Sequence, residues 1–301
     1  GDTAGKKAFG GKTKFGNPDF AGLKTPEEMT AAGIAHVRGI IDAAHRLGMT
    51  VGISISPLEF PREFQPVLPG SRVAKGLKDL TIIPGADQGP ADETLRMLAA
   101  TQIRAFLETY PDIDSLHVTM PEFPEWDQHA DAAWQLLQPR LKDQHLTLDG
   151  LIAAARDRKL IASGDRGVQA LKGNLVGLAF FHKLFSDPSL LARPDGTAVK
   201  LIVTDLDSAL FPVLDKVLPA AAASLNFVDY TARRVVENRE LLQAVPADRV
   251  DSRLILTLAD DNVGVLPQSA LQSLGTLAND LQELHWRGFS TRYWLTAELD
   301  P

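Results

Sequence analysis

Two glutamates and an unusual set of neighbours mark the stretch Ser115-Leu-His-Val-Thr-Met-Pro-Glu-Phe-Pro-Glu-Trp126 as a place where chemistry could occur. Leu116, Val118 and Met120 alternate with His117 and Thr119, a strand period, and Pro121 lacks the N–H that a central ladder needs. The strand is therefore expected to stop at Pro121 and to present Glu122 and Glu125 just past its end, among Phe123, Pro124 and Trp126. A carboxyl against apolar surface is harder to ionise, so its pKa rises. That is the property of a general acid that protonates a leaving group. The structural alternative is a solvated loop whose acids cap a helix beginning near Asp127.

Further acids fall at comparable places. Strands are expected at 50–56, 115–120, 199–204, 224–230, 253–258 and 289–294, with helices between them, and six such alternations imply right-handed βαβ units and a parallel sheet. Their C-terminal ends deliver Ser56, Glu122 and Glu125, Asp205 and Asp207, Asp229, Asp260 and Asp261, then Arg292 and Trp294; their N-terminal ends deliver almost nothing reactive. Sites of parallel α/β proteins lie at the C-terminal end. Any one of these aspartates has a plainer use as a helix cap, Asp207 before Ser208-Ala209 and Asp260 or Asp261 before a 267–284 helix. So many acids on one rim with Arg and Trp exceed what capping requires.

The remaining elements supply the scaffold. Thr25-Pro-Glu-Glu28 starts a helix that runs to about Leu47. In 50–56, Val51, Ile53 and Ile55 face one way and Gly52, Ser54 and Ser56 the other, small polar residues that suit a crowded barrel interior. Residues 1–24, rich in Gly and Lys, read as a loop, and 57–89, with a weak strand at 80–83, read as one long excursion over the rim. Helices are expected at about 91–110, 127–145, 148–158 and 166–185, then from 207 to about Val217, and from the strand at 224–230 through Leu242.

Composition narrows the function. At 301 residues and 45% hydrophobic content the chain can bury one core as a single domain over 1–301. A net charge of −7 without a basic stripe disfavours nucleic acid and anionic membrane. The absence of Cys removes thiolate metal sites and disulfides. No run is long enough to span a membrane. The seven His show no close ligand spacing, so no metal or other cofactor is expected, and His117 reads as a core histidine. The Gly-Asp-Thr start lacks an initiator Met and a signal peptide, which suits a processed or truncated chain and indicates no compartment.

The segments 116–126, Thr257-Leu-Ala-Asp-Asp-Asn-Val-Gly-Val-Leu-Pro-Gln268 and Ser290-Thr-Arg-Tyr-Trp294 resemble the strand ends of (β/α)8-barrel glycoside hydrolases, nearest to the barrel of family 20 hexosaminidases and family 67 α-glucuronidases. In such barrels the proton donor commonly follows the fourth strand. If 289–294 is the eighth strand, 115–120 is the fourth, which places Glu122 as the acid by resemblance. The paired Asp-Glu of family 20 is absent, because Pro121 precedes Glu122, and this speaks against a substrate-assisted acetamido mechanism. The resemblance implies a TIM-type barrel that is incomplete, with strands three to eight present and the first two missing or degenerate.

Glycosidic cleavage asks for one protonated and one ionised carboxyl. Glu122 is expected to be the acid and Asp261, or Asp260, its partner, with Asp229 and then Asp205 in reserve. Glu125, Trp126, Arg292 and Trp294 are candidate sugar contacts, and Arg292 would favour an acidic sugar. A metal-dependent lyase or hydrolase and a non-catalytic carbohydrate-binding barrel are the alternatives. An open barrel would leave edges that invite self-association.

Overall fold

The computed structural model describes residues 20–73, 81–120, 124–141, 145–161, 164–193, 195–257 and 271–292, without the side chains of Pro124, Glu125, Thr257, Leu271 and Arg292. The chain is an α/β protein whose six-stranded parallel sheet is curled into a half-barrel and flanked by helices. The strands are β1 (Gly52–Ile55), β5 (Ser115–Thr119), β6 (Lys200–Thr204), β7 (Ala223–Phe227), β8 (Ser252–Thr257) and β9 (Phe289–Arg292), side by side in that order. Each expected strand is present within three residues of its expected limits. Among the described residues β1 and β9 are the edges.

The curl shows in the two faces of the sheet. Leu116, Val118, Leu201, Val203, Leu254 and Leu256 point outward into the main core beneath the helices. Ile202, Ala223, Leu225 and Ile255, with Phe227 against them, form a second and separate apolar cluster. Strand periodicity of two puts these on the opposite, concave face. Registers agree: Ile202 pairs with Ala223, and Phe227 with Ile255. The small polar residues of β1 also lie on this face, yet Gly52 and Ser54 are exposed rather than enclosed, because β1 borders the open side of the curl. Gly52 is nevertheless needed there, since a Cβ would stand 2.4 Å from His117 Nε2.

Local sequence explains the helices. In α1 (Pro26–Arg46), Thr25 Oγ1 accepts from Glu28 N at 3.1 Å and Glu28 Oε2 accepts from Thr25 N at 3.1 Å, a reciprocal cap with Pro26 at the first position. Then follow α2 (Glu93–Thr109), α3 (Ala130–Leu141), α4 (Leu148–Asp157) and α5 (Asp165–Leu184). Leu171, Leu175, Val176, Leu178, Phe180 and Phe181 are wholly buried, so α5 is apolar around most of its circumference, as a central core helix must be.

Three expectations need correction. The 57–89 excursion contains a small antiparallel sheet: β2 (Phe60–Pro61) and β3 (Arg72–Val73) pair on either side of β4 (Thr81–Ile83). Buried Leu58, Phe60, Leu68 and Ile82 anchor it to the main core. The expected helix after β6 is a 3-10 turn over Ser208–Val213 followed by the single turn α6 (Leu214–Val217), since Pro212 has no N–H to donate. The expected helix after β7 is broken into α7 (Ala232–Glu237) and α8 (Arg239–Ala244), because Asn238 leaves helical geometry and its side-chain amide takes the Arg234 carbonyl at 2.8 Å. The last helix, α9, is described over Leu271–Glu283. No helix among the described residues is long and apolar enough to cross a membrane.

Candidate functional site

The loops that leave the C-terminal ends of β6 and β7 enclose a cleft of about 300 Å³, lined by Leu160, Asp205, Leu206, Asp207, Ser208, Phe227 and Val228. Parallel sheets place such crevices there because each strand must turn outward into its helix. Asp205 makes the turn. Its φ is +61°, a left-handed conformation that Asp tolerates better than most residues. Its N–H still reaches Leu225 O on β7 at 3.3 Å, and its Oδ2 accepts from Thr204 Oγ1 at 3.1 Å. Leu206 is buried beneath the turn, which leaves Asp205 and Asp207 on either side of it, both lining the cleft.

Asp207 combines two roles that the sequence offered as alternatives. It caps the 208–213 turn, with Oδ1 accepting from Ala209 N at 2.9 Å, and it also lines the cleft. Its backbone N–H donates to Asn174 Oδ1 at 2.9 Å, a buried polar side chain of α5. Burial pushes the Asp207 carboxyl up to about 6, and the Ala209 N–H only partly offsets this. A carboxyl in that range can hold or release a proton near neutrality, which is what general acid–base work requires. Asn174 is the one signal in the sequence that could have pointed here, a lone amide in the apolar run Gly173-Asn-Leu-Val-Gly-Leu-Ala-Phe-Phe181.

The chain matches no family model, no curated protein and no solved structure.

Of the residues expected at the site, Asp205 and Asp229 stand at the rim. Asp229, after β7, accepts from its neighbour Tyr230 N at 2.7 Å and pairs with Arg234 at 3.8 Å. Trp126 is buried at 4% exposure, donates its indole N–H to Gln88 O at 2.6 Å and packs against the edge of Phe180, so its rings belong to the core rather than to a sugar-stacking surface. Glu125 lies in a 3-10 turn (Pro124–His129), and Arg292 is paired with Thr257 at the end of β9, their side chains outside the described set. Glu122, Asp260, Asp261 and Trp294 lie outside the described residues. Among the described residues no group of three His, Asp or Glu is placed to hold a metal ion.

Sequence reasoning missed the inner face. His117 is half-buried on the concave side and not in the core beneath the helices, with its Nε2 3.2 Å from Ser115 Oγ. Burial, and then the charge of Arg253, hold its pKa below the ordinary value. Ser54 and Thr119 hydroxyls meet beside it at 3.0 Å. The N-terminal strand ends are also less bare than expected: Asp251 bridges Lys200 and, at 3.5 Å, Arg253, an ionic tie from β6 to β8 across β7.

Proposed function

We propose that the chain is a glycoside hydrolase on an incomplete (β/α)8-type barrel, with Glu122 as proton donor and Asp261, or failing it Asp260, as the opposing carboxylate. The observation that carries this reading is the strand order. Because β5, β6, β7 and β8 are consecutive neighbours, the segments bearing Glu122, Asp205, Asp229 and Asp260–Asp261 leave one continuous rim. Glu122 follows Thr119 by three residues and Asp260 follows Thr257 by three. Their strands stand three steps apart, roughly 14 Å along a flat sheet at about 4.8 Å per step. A carboxyl separation of about 5–5.5 Å would mean retention and one of roughly 6.5–9.5 Å inversion.

The test is a panel of aryl glycosides with the wild-type chain and with Glu122→Gln and Asp261→Asn. Each variant should fold as the wild type does, by circular dichroism, and lose about 10²–10⁴ in turnover. The product anomer, read by NMR, tells inversion from retention. A wild-type chain inert across the panel, or a fully active Glu122→Gln, overturns the proposal.

A further inference from the structure

We infer that α1 is the surface on which a second copy of this chain docks, the two α1 helices packing antiparallel. The inference uses neither the cleft nor the glycosidase reading. A helix of a globular protein buries an apolar stripe, yet Ile41 is the one buried residue of α1, with the partly buried Val37 packed beside it. Met29, Ile40 and Leu47, with Met49 just beyond them, are between 46% and 77% exposed. These positions are not scattered. Met29 and Leu47 lie about five turns apart and point the same way, and Gly33, Ile40 and Ala43 fall within about 40° of that direction. This second stripe stands about 120° around the helix from Ile41.

The helix is held with that stripe turned to solvent. Arg38, on the side opposite Met29 and Leu47, donates from Nε to Thr109 O at 2.9 Å, at the end of α2. His45, on the same back face, places Nε2 3.0 Å from Asp114 Oδ2. β1, the strand after α1, is an edge of the sheet among the described residues.

Charge selects the occupant. The stripe contains no Asp, Glu, Lys or Arg, and the charged residues nearest to it, Glu28 and Arg46, share one flank about 100° around. Like Met29 and Leu47, they are about five turns apart. A two-fold axis lying in the interface near Val37 and Arg38 keeps flanks and exchanges ends. Glu28 of each copy then meets the partner's Arg46 while Met29 packs on the partner's Leu47. Glu28 Oε2 serves the helix cap, accepting from Lys24 N at 2.8 Å and Thr25 N at 3.1 Å, which leaves Oε1 for this pair. A parallel pair would instead set like charges together at both ends, which is disfavoured. A membrane surface asks for Lys and Arg along the polar face, but Glu27, Glu28 and Asp42 stand there against Arg38 and Arg46. The stripe is about 30 Å long and about 10 Å wide, a small interface, and exposed ion pairs add little, so the dimer should be reversible in the micromolar range.

The test is sedimentation of the whole chain from about 1 to about 300 µM, where a reversible monomer–dimer equilibrium should appear. Ile40→Glu and Leu47→Glu alter exposed positions, so both should fold as the wild type does by circular dichroism, and each should raise the dissociation constant at least about tenfold. Because the chain has no Cys, single substitutions report orientation. Met29→Cys and Leu47→Cys, mixed and treated with diamide as oxidant, should form a disulfide-linked dimer with one of each. Either alone should link poorly, since its own counterpart would lie about 27 Å away along the helix. A chain monomeric at every concentration, a dimer that Ile40→Glu and Leu47→Glu leave intact, or a mixture that links no better than either variant alone would each overturn the inference. The second of these results would move the contact elsewhere, the sheet edges included.

Discussion

Replacing Asp207 by Asn should make the protein more stable at alkaline pH and leave it unchanged in acid. The unfolded chain releases this proton at the ordinary value of 3.8, whereas the folded chain holds it to about 6. The folded state therefore binds more protons between those values, and stability falls as pH rises through the window. A shift of about two units corresponds to about 3 kcal/mol at roughly 1.4 kcal/mol per unit, complete above pH 6. Asn removes the charge while retaining a side-chain oxygen for the Ala209 N–H, because Asn and Asp are equivalent caps. Urea midpoints measured from about pH 4 to about pH 8 should show Asp207→Asn gaining up to about 3 kcal/mol at the alkaline end and close to nothing at the acid end. A difference that does not change with pH, or an Asn variant that is less stable at the alkaline end, would refute the account of a carboxyl strained by burial. A group that weakens the fold at working pH and yet lines a cleft is the kind retained for function.

Two further substitutions test the scaffold. Gly85→Ala should destabilise the small antiparallel sheet by about 1–3 kcal/mol in urea, since its Cβ would fall 1.8 Å from the Gly70 carbonyl oxygen; unchanged stability would mean that β2, β3 and β4 adjust freely. Asp114→Ala should cost about 1–2 kcal/mol at neutral pH, because Asp114 Oδ2 accepts from Val51 N at 2.6 Å and His45 Nε2 at 3.0 Å and so ties α1 and the lead-in to β1 against β5. Burial raises the Asp114 pKa, but the Val51 N–H and His45 together outweigh it and leave the value below ordinary. That stabilisation should therefore be present above the ordinary carboxylate range and disappear as pH falls below it, and a loss that persists in strong acid would count against the assignment.

What could be read from the sequence was what neighbours in the chain decide. Thr25 and Glu28 declare the start of α1, and Leu201-Ile-Val203 and Leu254-Ile-Leu256 declare strands buried on both faces. The breaks at Pro212 and Asn238 were local too, yet periodicity alone ran through them. Trp126 illustrates the limit. Its neighbours suggested a rim aromatic, but its hydrogen-bond acceptor is Gln88, 38 residues earlier, and its packing partner is Phe180 on α5. Asp207 illustrates the same point for the site: Asn174 comes from α5, Leu160 from the stretch after α4 and Phe227 from the next strand, and together they make its environment. None of these distances is encoded in a window around residue 207.

The concave face explains why the cleft lies where it does. Toward β1 that face is polar and open, with Ser54, Ser115, His117 and Thr119, whereas across β6, β7 and β8 it is filled by Ile202, Ala223, Leu225 and Ile255. Side chains in a curled sheet crowd inward, so the apolar half packs against itself. Phe227 is the last member of that cluster and at the same time a wall of the cleft beside Asp205 and Asp207. The packing that tightens the half-barrel thus fixes the apolar wall against which Asp207 is desolvated. A loosened inner cluster should relax the Asp207 carboxyl toward its ordinary value, and Ile255→Ala, with the Asp207 titration followed by carboxyl NMR, measures that link. If the titration stays near 6 while stability drops by the about 2–5 kcal/mol of a buried Ile→Ala change, the cluster and the cleft are independent.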